Sequence, residues 1–182
     1  MTTIRHMRIN EKDKLFDLAA KIFREADEIP LLQKALLICI PELSFVAVEN
    51  KTIIGFTLVC KTMTNVYFNF MSTIPNCYEL AFLGIAPESQ GRGLGSRLLK
   101  ETLHAIFYQT RHFTCWLLVD IINKSAIKMY EKYGFRKWIH TTGKTAVPGW
   151  IMGLSYRRYV SNTLLENHIQ DPLVLKEVNV IG

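Results

Sequence analysis

The chain predicts an α/β domain in which helices layer against a mixed sheet, and three observations carry that expectation. Period-two and helical apolar patterns alternate in the order β-α-α-β-β-β-α-β-α-β-β. An apolar run from Leu80 to Ile85 passes through Ala86-Pro87-Glu88-Ser89 into the glycine loop Gln90-Gly91-Arg92-Gly93-Leu94-Gly95, with a helical pattern directly behind it. The 182 residues are 49% hydrophobic and 21% charged, enough apolar matter for one core and too much for a disordered chain.

Ile4–Ile9 reads as a short first strand. Glu11 to Glu28 predicts an amphipathic helix, since Leu15, Leu18, Ala19, Ile22, Phe23 and Ala26 share a stripe. A second apolar helix, about Leu31 to Ile40, stops at Pro41. Ser44–Glu49 and Thr52–Lys61 read as strands joined in a hairpin at Asn50-Lys51. Thr62 to Asn76 is rich in aromatics without a period, and reads as a loop or an irregular strand. Behind the glycine loop, Leu94, Leu98, Leu99, Leu103 and Ile106 mark a helix. Phe113–Asp120 is an apolar strand, and Asn123–Tyr133 a helix closed by Gly134. Phe135–Thr141 and Trp150–Val160 read as two last strands, and the tail from Ser161 as a helix and a strand or a loose end.

The net charge is +6, with bases dense only at Lys132–Lys137 and Arg157-Arg158. No aromatic-plus-basic module accompanies them, so a solvated basic surface is expected rather than a nucleic-acid footprint. Cys39, Cys60, Cys77 and Cys115 stand apart in apolar surroundings, without C-x-x-C or Cys/His zinc spacing. They read as core residues of a reduced, cytoplasmic protein, with neither disulfide nor metal expected. The first residues lack the apolar core of a signal peptide, and no run is long enough to span a bilayer.

A strand, a glycine loop and a helix start make an anion site, because the first N–H groups of a helix have no intrahelical partner and its dipole is positive there. A P-loop requires Gly-Lys-Ser/Thr, but Ser96-Arg97 follows Gly95. A dinucleotide fingerprint requires glycine at Ser96 and an acid about 20 residues on, and Arg111, His112 and Phe113 supply none. What remains is Gln90-x-x-Gly93-x-Gly95, a pyrophosphate cradle without a ribose-reading acid, or else a tight turn without a ligand.

This loop resembles the signature Q/R-x-x-G-x-G/A of the GNAT family of N-acetyltransferases. Leu83-Gly84-Ile85-Ala86-Pro87 is similar to the strand that precedes it there, and Asn123, Ala126, Tyr130, Gly134 and Phe135 match the family's N-x-x-A-x-x-x-Y-x-x-x-G-F. The resemblance covers about 4–159, so it implies an acyltransferase domain over 1–160 and an extension of unknown role over 161–182. It implies a mostly antiparallel mixed sheet with helices on both faces and one splayed strand pair. It implies acetyl-coenzyme A, or another acyl-coenzyme A, as co-substrate. The amides of Gly91, Arg92, Gly93, Leu94, Gly95 and Ser96, with Gln90 among the binding residues, would hold the pyrophosphate. The free main chain at Leu83, Gly84 and Ile85 would pair with the pantetheine arm. Arg92 and Arg97 are candidates for contacts to phosphate, or are simply solvated.

Attack of an amine on a thioester requires a neutral amine and a proton for the departing thiolate. Asn123 and Tyr130 lie seven residues apart on one helix face. The resemblance assigns Tyr130 the role of acid and a place beside the coenzyme, and Asn123 a contact to its arm; otherwise Tyr130 and Ala126 only pack the helix. Glu79, eleven residues before Gln90, stands where one branch of the family has its general base. The alternatives are an ordered water as base and Glu79 as an exposed strand-start residue. His140 reads as a surface histidine. No cysteine has a nucleophile setting, so direct transfer in a ternary complex is expected. The acceptor, a small-molecule or protein amine, stays open between 67–76 and 142–150 as its walls, and so does monomer against homodimer. A non-catalytic acyl-coenzyme A sensor or partner-binding module is the alternative function.

Overall fold

Strand pairing that is antiparallel everywhere except at one junction organises the computed structural model, which describes residues 1–23, 28–109, 114–142 and 148–167. The strands are β1 (Thr3–His6), β2 (Phe45–Glu49), β3 (Thr52–Cys60), β4 (Cys77–Ile85), β5 (Thr114–Asp120), β6 (Arg136–Thr141) and β7 (Gly149–Ser155). They form one sheet in the order β1-β2-β3-β4-β5-β7-β6. Only β4 and β5 run parallel, paired at Cys77↔Thr114, Tyr78↔Cys115 and Glu79↔Trp116. Beyond that last pair β4 continues to Ile85 and β5 to Asp120 without meeting again. The sheet therefore opens into a wedge whose apex is Glu79 and Trp116.

Helices cover both faces. α1 (Lys12–Ile22) and α2 (Glu28–Ile38) bury Leu15, Ala19, Leu32 and Ala35 against Phe56 and Leu58 on one face. On the other, α3 (Leu94–Gln109) buries Leu98, Leu99, Leu103 and Ile106, and α4 (Lys124–Lys132) adds Ile127 and Tyr130. At about 25 cal/mol per Å² of apolar area, each such Leu or Ile contributes roughly 1.5–3 kcal/mol. A third, smaller cluster joins Met63, Phe68 and Met71 to Ile151 of β7.

Local chemistry explains the boundaries. Asn50 and Lys51 take φ of 48° and 66°, the twisted two-residue turn that hairpins prefer. The Asn123 side chain accepts from Ala126 N–H at 3.1 Å and so caps α4, and Gly134 ends it at φ 92°.

Four expectations need correction. β1 ends at His6 rather than Ile9: Met7 turns into the core, and Ile9–Glu11 forms a 3-10 turn closed by Arg8 N–H on Glu11. The first helix stops at Ile22, with 24–27 outside the described residues, and the second starts early, at Glu28, with Pro30 in its first turn. The segment after β3 is no strand; Val66–Thr73 is 3-10, because burying Phe68 and Met71 together requires helical spacing. The strand expected through Val160 ends at Ser155, whose hydroxyl accepts from Arg158 N–H at 3.4 Å and opens α5 (Tyr156–Asn167). Tyr156 and Tyr159 then lie three apart on one helix face against the Phe107 ring. α5 thus runs across residue 160, and the strand expected in the tail lies outside the described residues.

Candidate active site

The wedge has a polar rim and a buried apex. The rim is the glycine loop. Gly91 and Gly93 take φ of 73° and 72°, and a Cβ built on either would meet nothing within 4 Å. Their glycines thus serve backbone conformation and approach from outside, not internal packing. The first helical bond of α3 runs from Arg97 N–H to the Gly93 carbonyl at 3.1 Å. The N–H groups of Gly93, Leu94, Gly95 and Ser96 therefore precede the intrahelical ladder and form a row of donors at the positive end of the dipole.

Neighbours fix this rim. Gln90 donates from Nε2 to the Ile85 carbonyl at 3.3 Å, closing the loop onto the end of β4. Tyr133 donates its hydroxyl to the Ser96 carbonyl at 3.0 Å, tying α4 to the start of α3. Leu83 and Ile85 pack beside Gly95 and Met129, while Gly84 on the opposite face gives room to the Phe56 ring, 2.9 Å from where its Cβ would be. The Arg92 guanidinium grips Glu49 through both nitrogens, at 2.6 and 3.0 Å, and with Thr2 holds that carboxyl down to about 2. Arg97 reaches the Thr2 carbonyl at 3.5 Å. Arg92 and Arg97, candidates either for phosphate or for solvent, are thus turned toward the N-terminal strands, and Arg92 lends the rim its main chain.

At the apex, Glu79 is 4% exposed rather than a surface residue. Thr64 N–H donates to one carboxylate oxygen at 2.7 Å and Thr64 Oγ1–H to the other at 3.0 Å. Burial pushes the carboxyl up to about 7, against the two Thr64 bonds and the Lys34 charge, which pull it down. Tyr130 is buried against Phe135, ring centroids 5.6 Å apart, and burial raises its phenol above the usual value, so at neutral pH it holds its proton. Asn123 stays exposed, with its oxygen engaged as a cap and its amide N–H groups directed by that bond. His140 is exposed and set edge-on to Trp150, at 4.7 Å between centroids.

Sequence reasoning missed four residues: Trp116, Thr64 and Lys34 about Glu79, and Trp138 against Trp116. Trp116, its register partner across the apex, lays its ring on β7, where a Cβ at Gly153 would fall 2.2 Å from the indole. Trp138 stands 4.7 Å from Trp116 and half exposed, so the two indoles form one aromatic pair beside the apex. The Trp116 indole N–H is buried, and among the described residues the Cys77 thiol is the polar group it meets. Thr64 and Lys34 carried no signal either, lying in an aperiodic stretch and on a helix flank. A glycine directly opposite an aromatic in paired strands is the one clue that could have placed Trp116.

The site is thus a mixed sheet parted at one parallel junction, with a donor-lined helix start at its rim and a protonatable carboxyl at its apex. The sequence profile of the Acetyltransferase (GNAT) family matches residues 12–135, more than half of the chain, and the chain belongs to that family. The mycothiol acetyltransferase of Paenarthrobacter aurescens is 36% identical over 64 residues, which are 35% of this chain and 20% of that one. The chain thus matches about a fifth of that relative's length. The ribosomal-protein-S18-alanine N-acetyltransferase of Escherichia coli superposes with a TM-score of 0.65 at 18% identity, over 86% of this chain and 94% of that chain. The PaiA N-acetyltransferase of Thermoplasma acidophilum, solved with coenzyme A, gives 0.62 at 22% identity over 86% and 99%. These likenesses carry the fold. Among the described residues no cluster of His, Cys, Asp or Glu could hold a metal, and no helix is long and apolar enough to cross a membrane.

Proposed function

We propose that the protein transfers an acetyl group from acetyl-coenzyme A to an amine by direct attack in a ternary complex. One observation carries the reading: the wedge between β4 and β5 joins a rim of free N–H donors to an apex carboxyl that titrates near neutrality. The rim fits a pyrophosphate because its donors are main chain and nothing fills the space above Gly91 and Gly93. From Leu80 to Ile85, the edge of β4 that faces β5 has no partner strand, which suits an extended pantetheine arm.

The bound coenzyme supplies a thioester, whose carbonyl carbon is the electrophile. Glu79 takes a proton from the ammonium, directly or through a water, leaving a neutral nitrogen to form the new N–C bond. As the C–S bond breaks, Tyr130 gives its proton to the sulfur and regains one from the nitrogen. The products are the amide and the free thiol, with one proton left on Glu79 for solvent. Asn123 orients the arm. Trp116, Trp138 and the Val66–Thr73 segment give the acceptor side an apolar wall, which favours an amine on an apolar or small neighbour. We place the catalytic unit in 1–160, with the rest of α5 and the residues after it as an extension. Four free, buried cysteines suit a reducing, cytoplasmic setting.

A panel of amines (polyamines, amino acids, peptides with a free N-terminus, lysine peptides) incubated with acetyl-coenzyme A and read by thiol release tests this. Turnover with one class is expected. Coenzyme binding without turnover across the panel replaces the reading with a sensor, and absence of coenzyme binding ends both.

A further inference from the structure

Met63 and Thr64 lie in a connecting segment, yet every main-chain polar group of the two residues is engaged within the protein. Met63 N–H donates to Ser72 Oγ at 2.9 Å, and Thr64 N–H donates to Glu79. The carbonyls of Met63 and Thr64 both accept from Lys34 Nζ of α2, at 3.2 and 2.8 Å. Met63 is 2% exposed and Thr64 4%, so the segment is packed as well as bonded. Its outcome is one contact: the Thr64 hydroxyl and amide each meet a different oxygen of Glu79.

A purely structural partner for a buried carboxylate is better supplied by an arginine, or removed by an apolar pair. Here the carboxyl receives two neutral donors, and the nearest positive charge is spent on carbonyls one step away. Each oxygen keeps a lone pair for a water or an amine. We propose that Thr64 is a positioning residue for Glu79, aiming its carboxylate across the wedge, and that Lys34 is the pin that holds Thr64 in place. The proposal rests on the reading of Glu79 as general base.

The other titratable groups that face Glu79 are thiols: Cys60 on β3, Cys77 on β4 and Cys115 on β5. Burial raises all three, so they stay neutral and leave Lys34 as the charge that counts. Both Thr64 bonds and the Lys34 charge favour the ionised carboxylate. Removing either therefore moves the titration of Glu79 upward.

Carbon-13 NMR of carboxyl-labelled glutamate, with Glu79→Gln to assign the signal, follows that titration in the whole protein. Thr64→Val keeps the shape and the amide bond and loses the hydroxyl; its midpoint is expected about one to two pH units above wild type. Thr64→Ser restores it, and Lys34→Met shifts in the same direction as Thr64→Val. With the amine found in the panel, the acid limb of kcat/KM moves in step while KM for acetyl-coenzyme A stays unchanged. A Thr64→Val midpoint at the wild-type position overturns the proposal, as does lowered activity with an unshifted limb. If Glu79→Gln keeps the wild-type limb, Glu79 is not the base; the titration arm then still reads whether Thr64 sets its carboxyl, so the two failures are told apart.

Discussion

The two ends of the wedge are built on opposite principles. The rim is made of main chain from one continuous stretch, 90–96, and two of its glycines, Gly91 and Gly93, have empty space around them. The apex is made of side chains from α2, β4, β5 and the segment after β3, and its glycine, Gly153, has an indole where a Cβ would be. On the proposed reading, a rim of this kind would serve any acyl-coenzyme A and give no choice of acceptor. The apex, with its Thr64 contact and its two indoles, is where choice and chemistry would reside.

Substitutions on either side make that contrast measurable. Glu79→Gln is expected to lower kcat by about a hundredfold at neutral pH and to remove the acid limb; a rate within threefold of wild type would break the assignment. It also reports on stability. Folding raises this carboxyl from 4.5 to about 7, so its protonated form is favoured and the stability it gives is full below pH 4.5 and lost as pH rises through about 7. Wild-type Tm should fall across that window more than the Tm of Glu79→Gln.

Gly153→Val comes next, forcing Trp116 off its seat at a cost of about 3 kcal/mol, roughly a 6–12 °C drop in Tm with a shift in tryptophan emission. An unchanged Tm would mean that the indole moves freely. Tyr130→Phe should lower kcat about tenfold without altering KM for the coenzyme, and unaltered turnover would leave Tyr130 with packing alone. Gly91→Ala meets no neighbour and bears only the left-handed backbone, about 1 kcal/mol, or roughly 2–4 °C. Gly95→Ala, with contacts no closer than 3.6 Å, is expected to change Tm by less than about 1 °C. Were Gly91→Ala to cost more than Gly153→Val, the contrast between the ends would be reversed.

The rim was legible in the sequence because its physics is local. A strand pattern, three glycines and a helix pattern lie in one run, and the second motif, Asn123 to Phe135, is capped by its own residues. The apex was half legible. Glu79 was named from its distance to Gln90, but its burial depends on Thr64 and Lys34, which come from 15 residues before it in the chain and from another helix. The stretch from Thr62 to Asn76 shows no strand or α-helix period because it runs through a 3-10 turn, which buries Phe68 and Met71 three residues apart. Tyr156 to Val160 looks like strand by composition, and the Ser155 cap with tertiary packing on Phe107 overrides it. The outward turn of Arg92 could not be foreseen, since Glu49 lies 43 residues away.

The parting of β4 from β5 also bears on how long the protein lasts in a cell. Between Leu80 and Ile85 the β5-facing edge of β4 pairs with no strand among the described residues, in the middle of a sheet, a place where most folds have no open edge. A coenzyme arm laid along it, as proposed, would stand in for the missing strand. At a hundred times its Kd, such a ligand stabilises the folded state by about 2.7 kcal/mol and lowers the unfolded fraction roughly a hundredfold. Proteases act on that fraction. The abundance of the protein would then follow the supply of coenzyme, without any regulatory site devoted to sensing it.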